Sequence, residues 1–136
     1  MHVKRMFVED VRILDPNSPE VEVYSPNWDQ IENAIRKLDG NHRSIVIIGQ
    51  LDPEIDYMGI GGGKNGIYRC FVYDSNGREF ALIDPSKSLN EAIDVLMGQT
   101  TSISAQECLP VEMVLQAAKT YAESGNKDTK LRWKEC

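Results

Sequence analysis

The sequence predicts an α+β domain: an antiparallel sheet of about six strands, with a helix near the N-terminus and a long helix near the C-terminus. Three observations carry that prediction. Short runs rich in β-branched and aromatic residues recur with turn residues between them, and one pair is joined by the hairpin signal Asn76-Gly77. Two segments carry apolar residues at helical spacing, one with Trp28, Ile31, Ile35 and Leu38, the other with Val111, Val114, Leu115, Ala118, Tyr121 and Ala122. No internal repeat, low-complexity tract or interior linker divides the 136 residues, so residues 1–136 are expected to form one domain.

The elements follow in order. Residues 2–14 alternate loosely, with Val3, Phe7, Val11 and Ile13 apolar, and fit one or two short strands. Residues 15–19 hold two prolines and read as a turn, and residues 20–24 alternate cleanly. Together they suggest a hairpin with a long loop. Asn27 suits a helix N-cap, with Gln30 as its capping-box partner, and Gly40 suits the left-handed stop. Residues 44–48 are continuously apolar and β-branched, which predicts a central strand covered on both faces. Residues 49–53 turn. Strands are expected at 56–60 and 66–74, a turn at 75–77, a returning strand at 78–83 and a loop at 84–89. Residues 91–97 are ambiguous between helix and strand, and the alternation of Ile93, Val95 and Met97 with Asp94 and Leu96 favours a strand. Pro110 suits the first helical position, residues 111–124 form the long helix, and Gly125-Asn126 ends it. Residues 130–133 make a short final strand or tail.

Composition excludes some functions. Fifteen Lys and Arg against 21 Asp and Glu leave a net charge of −6. Such a protein is poorly suited to bind nucleic acid directly and well suited to a basic protein partner. The three cysteines, Cys70, Cys108 and Cys136, are widely spaced and form no Cys-x-x-Cys pair. Cys70 reads as a buried thiol. No apolar stretch follows the basic start as a secretion signal requires, and no segment approaches a membrane span, so a cytoplasmic protein with no membrane partner is expected.

Chemistry-bearing residues are few. Gly61, Gly62 and Gly63 look like a phosphate-binding loop, but such a loop opens a helix, and here Ile67-Tyr-Arg-Cys-Phe-Val-Tyr73 reads as a strand. A structural link between two strands is the expected role. His2 and His42 have no helical partner for a metal, and Cys108 with His42 has no local signature of a nucleophile and base. No catalytic residue, cofactor or metal is therefore expected, and the protein is not expected to be an enzyme. Asp52, Glu54 and Asp56 form an acidic stretch around Pro53, without the glycine and distal glutamate of a calcium loop. Two readings stay open for it: a solvated loop, or a charged prong for a basic partner. Trp133 is expected to serve structure, covering the sheet beside the last helix.

The order of these signals resembles a known family. Val21 opens it, an apolar strand leads to Ile60-Gly61-Gly62-Gly63, and Gly66-Ile67-Tyr68 and the Asn76-Gly77 hairpin follow. A strand ends in Gly98-Gln99, a helix carries Ala117-Ala118 and Tyr121, and Leu131-Arg-Trp133 closes the chain. This is similar to the immunity proteins of bacterial polymorphic-toxin systems, in the family usually numbered first among them. Residues 1–14 fall outside the likeness, and Tyr121-Ala122 stands where a more aromatic helix end is common. The resemblance implies a small cytoplasmic antitoxin that binds the C-terminal domain of its cognate toxin and masks its active site. Related immunity proteins neutralise nucleic-acid deaminases, which implies a nucleic-acid-directed toxin here. On this reading Asp52, Glu54 and Asp56 are the candidate toxin-facing residues. The rival readings are a small nucleotide- or ligand-binding domain that uses Gly61, Gly62 and Gly63, and an adaptor subunit.

Overall fold

Strand alternation and turn chemistry build most of the sheet. The computed structural model describes residues 1–9, 20–50 and 56–136. β1 (Arg5–Glu9) and β2 (Glu20–Tyr24) pair antiparallel, as the alternation predicts. Val11, Ile13 and the proline turn lie outside the described residues. α1 (Trp28–Arg36) opens with the capping box: the Gln30 amide donates to Asn27 Oδ1 at 2.8 Å, and the Asn27 amide to Gln30 Oε1 at 2.9 Å. The helix ends at Lys37, before Gly40, which lies in the following turn at φ +69°. Asp39 holds that turn by accepting from the amides of Asn41, His42 and Arg43.

β3 (Ile45–Gly49) returns beside β1, and β4 (Tyr57–Gly62), β5 (Tyr68–Tyr73) and β6 (Glu79–Ile83) follow in turn. The chain then leaves the sheet. β7 (Ala92–Met97) and β8 (Gln99–Ser104) form a separate hairpin, α2 (Val111–Ser124) crosses back, and β9 (Arg132–Glu135) closes the sheet against β6. The result is a seven-stranded sheet in the order β2-β1-β3-β4-β5-β6-β9, antiparallel throughout. The α+β class and both helices stand as the sequence predicts.

Particular differences have physical reasons. There is one strand more in the sheet than the expected six or so, and β8 was not expected. β8 reads Gln-Thr-Thr-Ser-Ile-Ser and buries only Ile103, so apolar alternation is nearly silent. Gly98 at φ +77° turns the hairpin where the sequence suggested a strand end. Pro110 is the N-cap rather than the first helical residue, and Gly125 ends α2 in the left-handed region at φ +76°.

Both helices lie on one face of the sheet. There Met6, Val46, Ile48, Met58, Ile60, Cys70, Val72 and Leu82 meet Ile31 and Ile35 of α1 and Val114, Ala118 and Tyr121 of α2 in one apolar cluster. Burial pushes the Cys70 thiol up to about 12, in keeping with an inert core residue. β3 is not covered equally on both sides: Val46 and Ile48 are buried, while Ile45 and Ile47 on the other face are half-buried. A second, smaller cluster of Val95, Ile103 and Cys108, flanked by Ile67 and Ile93, lies under the β7–β8 hairpin.

Candidate functional site

The glycine run is a corner of the fold. Gly61 and Gly62 end β4, Gly63 stands at φ +103°, and a single 3-10 turn (Lys64–Gly66) leads to β5. Its amides are spent within the chain. Gly62 donates to Ser44 O at 3.1 Å, Gly63 to Ile67 O at 2.8 Å and Gly66 to Gly63 O at 3.3 Å. A phosphate cradle needs such amides free. The missing side chains make room for protein instead. A Cβ on Gly61 would run into Met97, and one on Gly63 into the Leu38 carbonyl.

Met97 brings the hairpin onto this corner, and Ser44 fastens it there. Ser44 is 0% exposed, donates to Glu9 Oε1 at 2.6 Å and accepts the Gly98 amide at 2.8 Å. Arg69 also reaches across, donating to Glu107 at 3.2 Å. Between the corner and the hairpin runs a cleft of about 500 Å³, lined by Gly62, Lys64, Asn65 and Ile67 on one side and by β7 with Thr100 of β8 on the other.

Of the acidic stretch, Asp52 and Glu54 lie outside the described residues. Asp56 stands just before β4 and is tied inward. The Tyr121 hydroxyl donates to its carboxylate, and His2 Nε2 lies 3.2 Å from the same oxygen. The His2 ring packs edge-on to Tyr121, and Gln50 Nε2 lies 3.0 Å from His2 Nδ1. Burial first, and the Asp56 carboxylate second, push the Tyr121 hydroxyl above its ordinary range. Asp56 thus joins the N-terminus to α2.

Trp133 packs against the main core, and its indole N–H donates to Asp128 O at 3.0 Å. Asp128 in turn accepts from Thr120 at 2.8 Å, Gln116 at 3.3 Å and the Lys130 amide at 2.9 Å. The Lys130 amide, Thr120 and Gln116 hold its carboxyl below the ordinary range, despite burial. Cys108 lies in the cluster beneath the hairpin, with its thiol pushed up chiefly by burial. His42 belongs to the Asp39 turn. Cys108 Sγ lies against Ser104 O and the His42 amide donates to Asp39, and no group of three metal-ligating side chains occurs among the described residues.

Sequence reasoning missed the helix-free face of the sheet. Strand register places Arg5, Phe7, Ile47, Tyr57, Phe71 and Tyr73 there together. Tyr57 stacks on Tyr73 at 5.4 Å and meets Phe71 edge-on at 6.0 Å. The Arg5 guanidinium sits 4.6 Å from the Phe7 ring centroid and 5.5 Å from that of Tyr24, and it pairs with Glu22. Tyr24 is 62% exposed. The signal was present but folded into one apolar run. Taken alternately, residues 68–73 separate into Tyr68, Cys70 and Val72 for the core and Arg69, Phe71 and Tyr73 for the opposite face.

Residues 20–135 match the model of the family described as Immunity protein Imm1, and the chain belongs to that family. No curated protein matches the chain. No helix among the described residues is long and apolar enough to cross a membrane.

Proposed function

We propose that this immunity protein acts in the cytoplasm by binding the C-terminal domain of a cognate secreted toxin of a polymorphic system and blocking its active site. Membership of the immunity family across residues 20–135 is the observation that carries the reading. The toxin acts on nucleic acid, as a deaminase or another enzyme of that class, and presents a basic cleft. The net charge of −6 supports this pairing, because carboxylates can stand where phosphates would. Asp52 and Glu54 steer the approach, and Asp56, whose carboxylate is engaged by Tyr121 and His2, adds its charge behind them. The helix-free side of the sheet supplies contact area, since tyrosine and arginine, among them the exposed Tyr24, are residue types that anchor protein interfaces. The protein performs no chemistry of its own and takes no cofactor.

Co-expression tests the reading. Cells carrying the toxin domain encoded beside this gene survive only when the chain is present, and the purified pair forms a stable complex. Failure to bind that domain sinks the proposal. The role of the acidic stretch is read from Asp52→Asn with Glu54→Gln, leaving Asp56 in its contacts. Stopped-flow association slows in this variant and loses part of its salt dependence. An unchanged rate at both low and high salt removes these two residues from the interface.

A further inference from the structure

We infer that the outer edge of β7 takes an extended segment of the toxin domain as an added strand. This rests on toxin binding as proposed above and names where and how the partner is held.

The backbone supplies the argument. The Ala105 amide donates to Glu91 O at 2.9 Å, and the hairpin register continues as Ala92↔Ser104, Ile93↔Ile103 and Asp94↔Ser102. Antiparallel pairs alternate between bonded and non-bonded. Ile93 and Val95 therefore bond toward β8, and the N–H and C=O groups of Ala92, Asp94 and Leu96 turn to the outer edge. No described backbone group bonds to them there.

That edge borders the cleft of about 500 Å³. Ile93, Asp94, Val95 and Leu96 all line it, four residues in succession. A strand that showed the cleft only one face would contribute alternate residues. A continuous run places the strand's edge along it.

The edge is also held firmly enough to act as a template. Val95 and Met97 seat on Gly62 and Gly61, and Ser44 holds the Gly98 amide at 2.8 Å.

The occupant follows from what is unsatisfied. Backbone donors and acceptors at every second residue are met in series by another extended polypeptide, and main-chain bonds then carry affinity. Lys64 and Asp94 offset each other in charge at the walls, so the segment need not be strongly charged. Ile67 and Ile93 favour an apolar side chain where it passes them.

Proline separates the edges. Asp94→Pro and Leu96→Pro each remove an outward N–H and spare the bonds to β8. Ser102→Pro does the same on the opposite edge of the hairpin and serves as the control. The full-length chain is titrated with the toxin domain encoded by the adjacent gene. The β7 variants raise the dissociation constant by about tenfold or more, and Ser102→Pro leaves it near the wild-type value. Amide hydrogen exchange on the wild-type complex gives a reading that no variant's folding can confuse: Asp94 and Leu96 become protected on binding. A complex that leaves those two amides as exposed as in the free chain overturns strand addition while toxin binding stands. Protection that appears in the free chain as its concentration rises assigns the edge to a second copy, and also overturns it. If the wild-type chain does not bind the domain at all, the functional reading fails first.

Discussion

The two faces of the seven-stranded sheet are filled by different means. On the helix face, aliphatic side chains from β1, β3, β4, β5 and β6 close against α1 and α2, and many of them are fully buried. On the other face, glycines let the β7–β8 hairpin lie directly on β4, and beside it aromatic rings and arginines stack on one another. The first arrangement leaves nothing for a partner to gain. The second keeps Tyr57 and Tyr73 half-buried, leaves an edge of β7 with no backbone partner among the described residues, and borders a cleft. If the helix-free face binds the toxin as proposed, stability and recognition are divided between the faces of one sheet, and substitutions should divide in the same way.

The largest effect is expected on the helix face. Leu82→Ala removes a side chain that is 0% exposed and should cost about 3 kcal/mol, read from chemical denaturation with an unchanged slope. A loss below about 1 kcal/mol would mean that the helix face repacks freely and is no more tightly built than the other.

Gly61→Val comes next and strikes the other face. Its side chain collides with Met97 and should cost about 2 kcal/mol. Hydrogen exchange should show the loss concentrated in β7 and β8, with the main core still protected. Uniform loss across the sheet would show that the hairpin is not a separable layer.

Asp128→Ala tests the fastening of α2 to β9 and should cost about 1–2 kcal/mol. Its pH dependence has a definite sign. The folded-state carboxyl is held below its ordinary value, so its contribution is present above the ordinary carboxylate range and fades as pH falls through the folded value. Thermal melts from pH 7 downward should show the wild type losing its advantage over Asp128→Asn in acid. A gap that widens in acid would contradict this account.

The smallest effect on stability, and a large one on binding, belongs to the aromatic face. Tyr57→Ala removes one stacked and one edge-on contact and should cost about 1 kcal/mol. Calorimetric titration with the toxin domain should show weakened affinity well beyond that cost. Unchanged affinity would mark this face as structural and reduce the contrast to one of packing style.

Some of this was legible in the residues themselves. Asn27 and Gln30 specify the start of α1 by local hydrogen bonds, and Gly125 specifies the end of α2 by a backbone angle that other residues resist. Asn76 and Gly77 turn β5 into β6 for the same local reason. The glycine run was readable as a link because strand-forming residues follow it. Local chemistry also marked the acidic stretch, but not that Asp56 would meet His2 and Tyr121, which are far from it in the chain.

What tertiary structure alone decided is which face and which edge each strand presents. Residues 68–73 are apolar almost throughout, and only pairing with β4 and β6 sends Arg69, Phe71 and Tyr73 away from the helices. β1 lies between β2 and β3 because long-range pairing sets strand order, which no local signal encodes. The outer edge of β7 has no partner strand among the described residues because the hairpin leaves the main sheet and comes to rest on Gly61 and Gly62. A sequence can say that a segment will be extended. Whether its backbone groups find partners depends on every other strand in the fold.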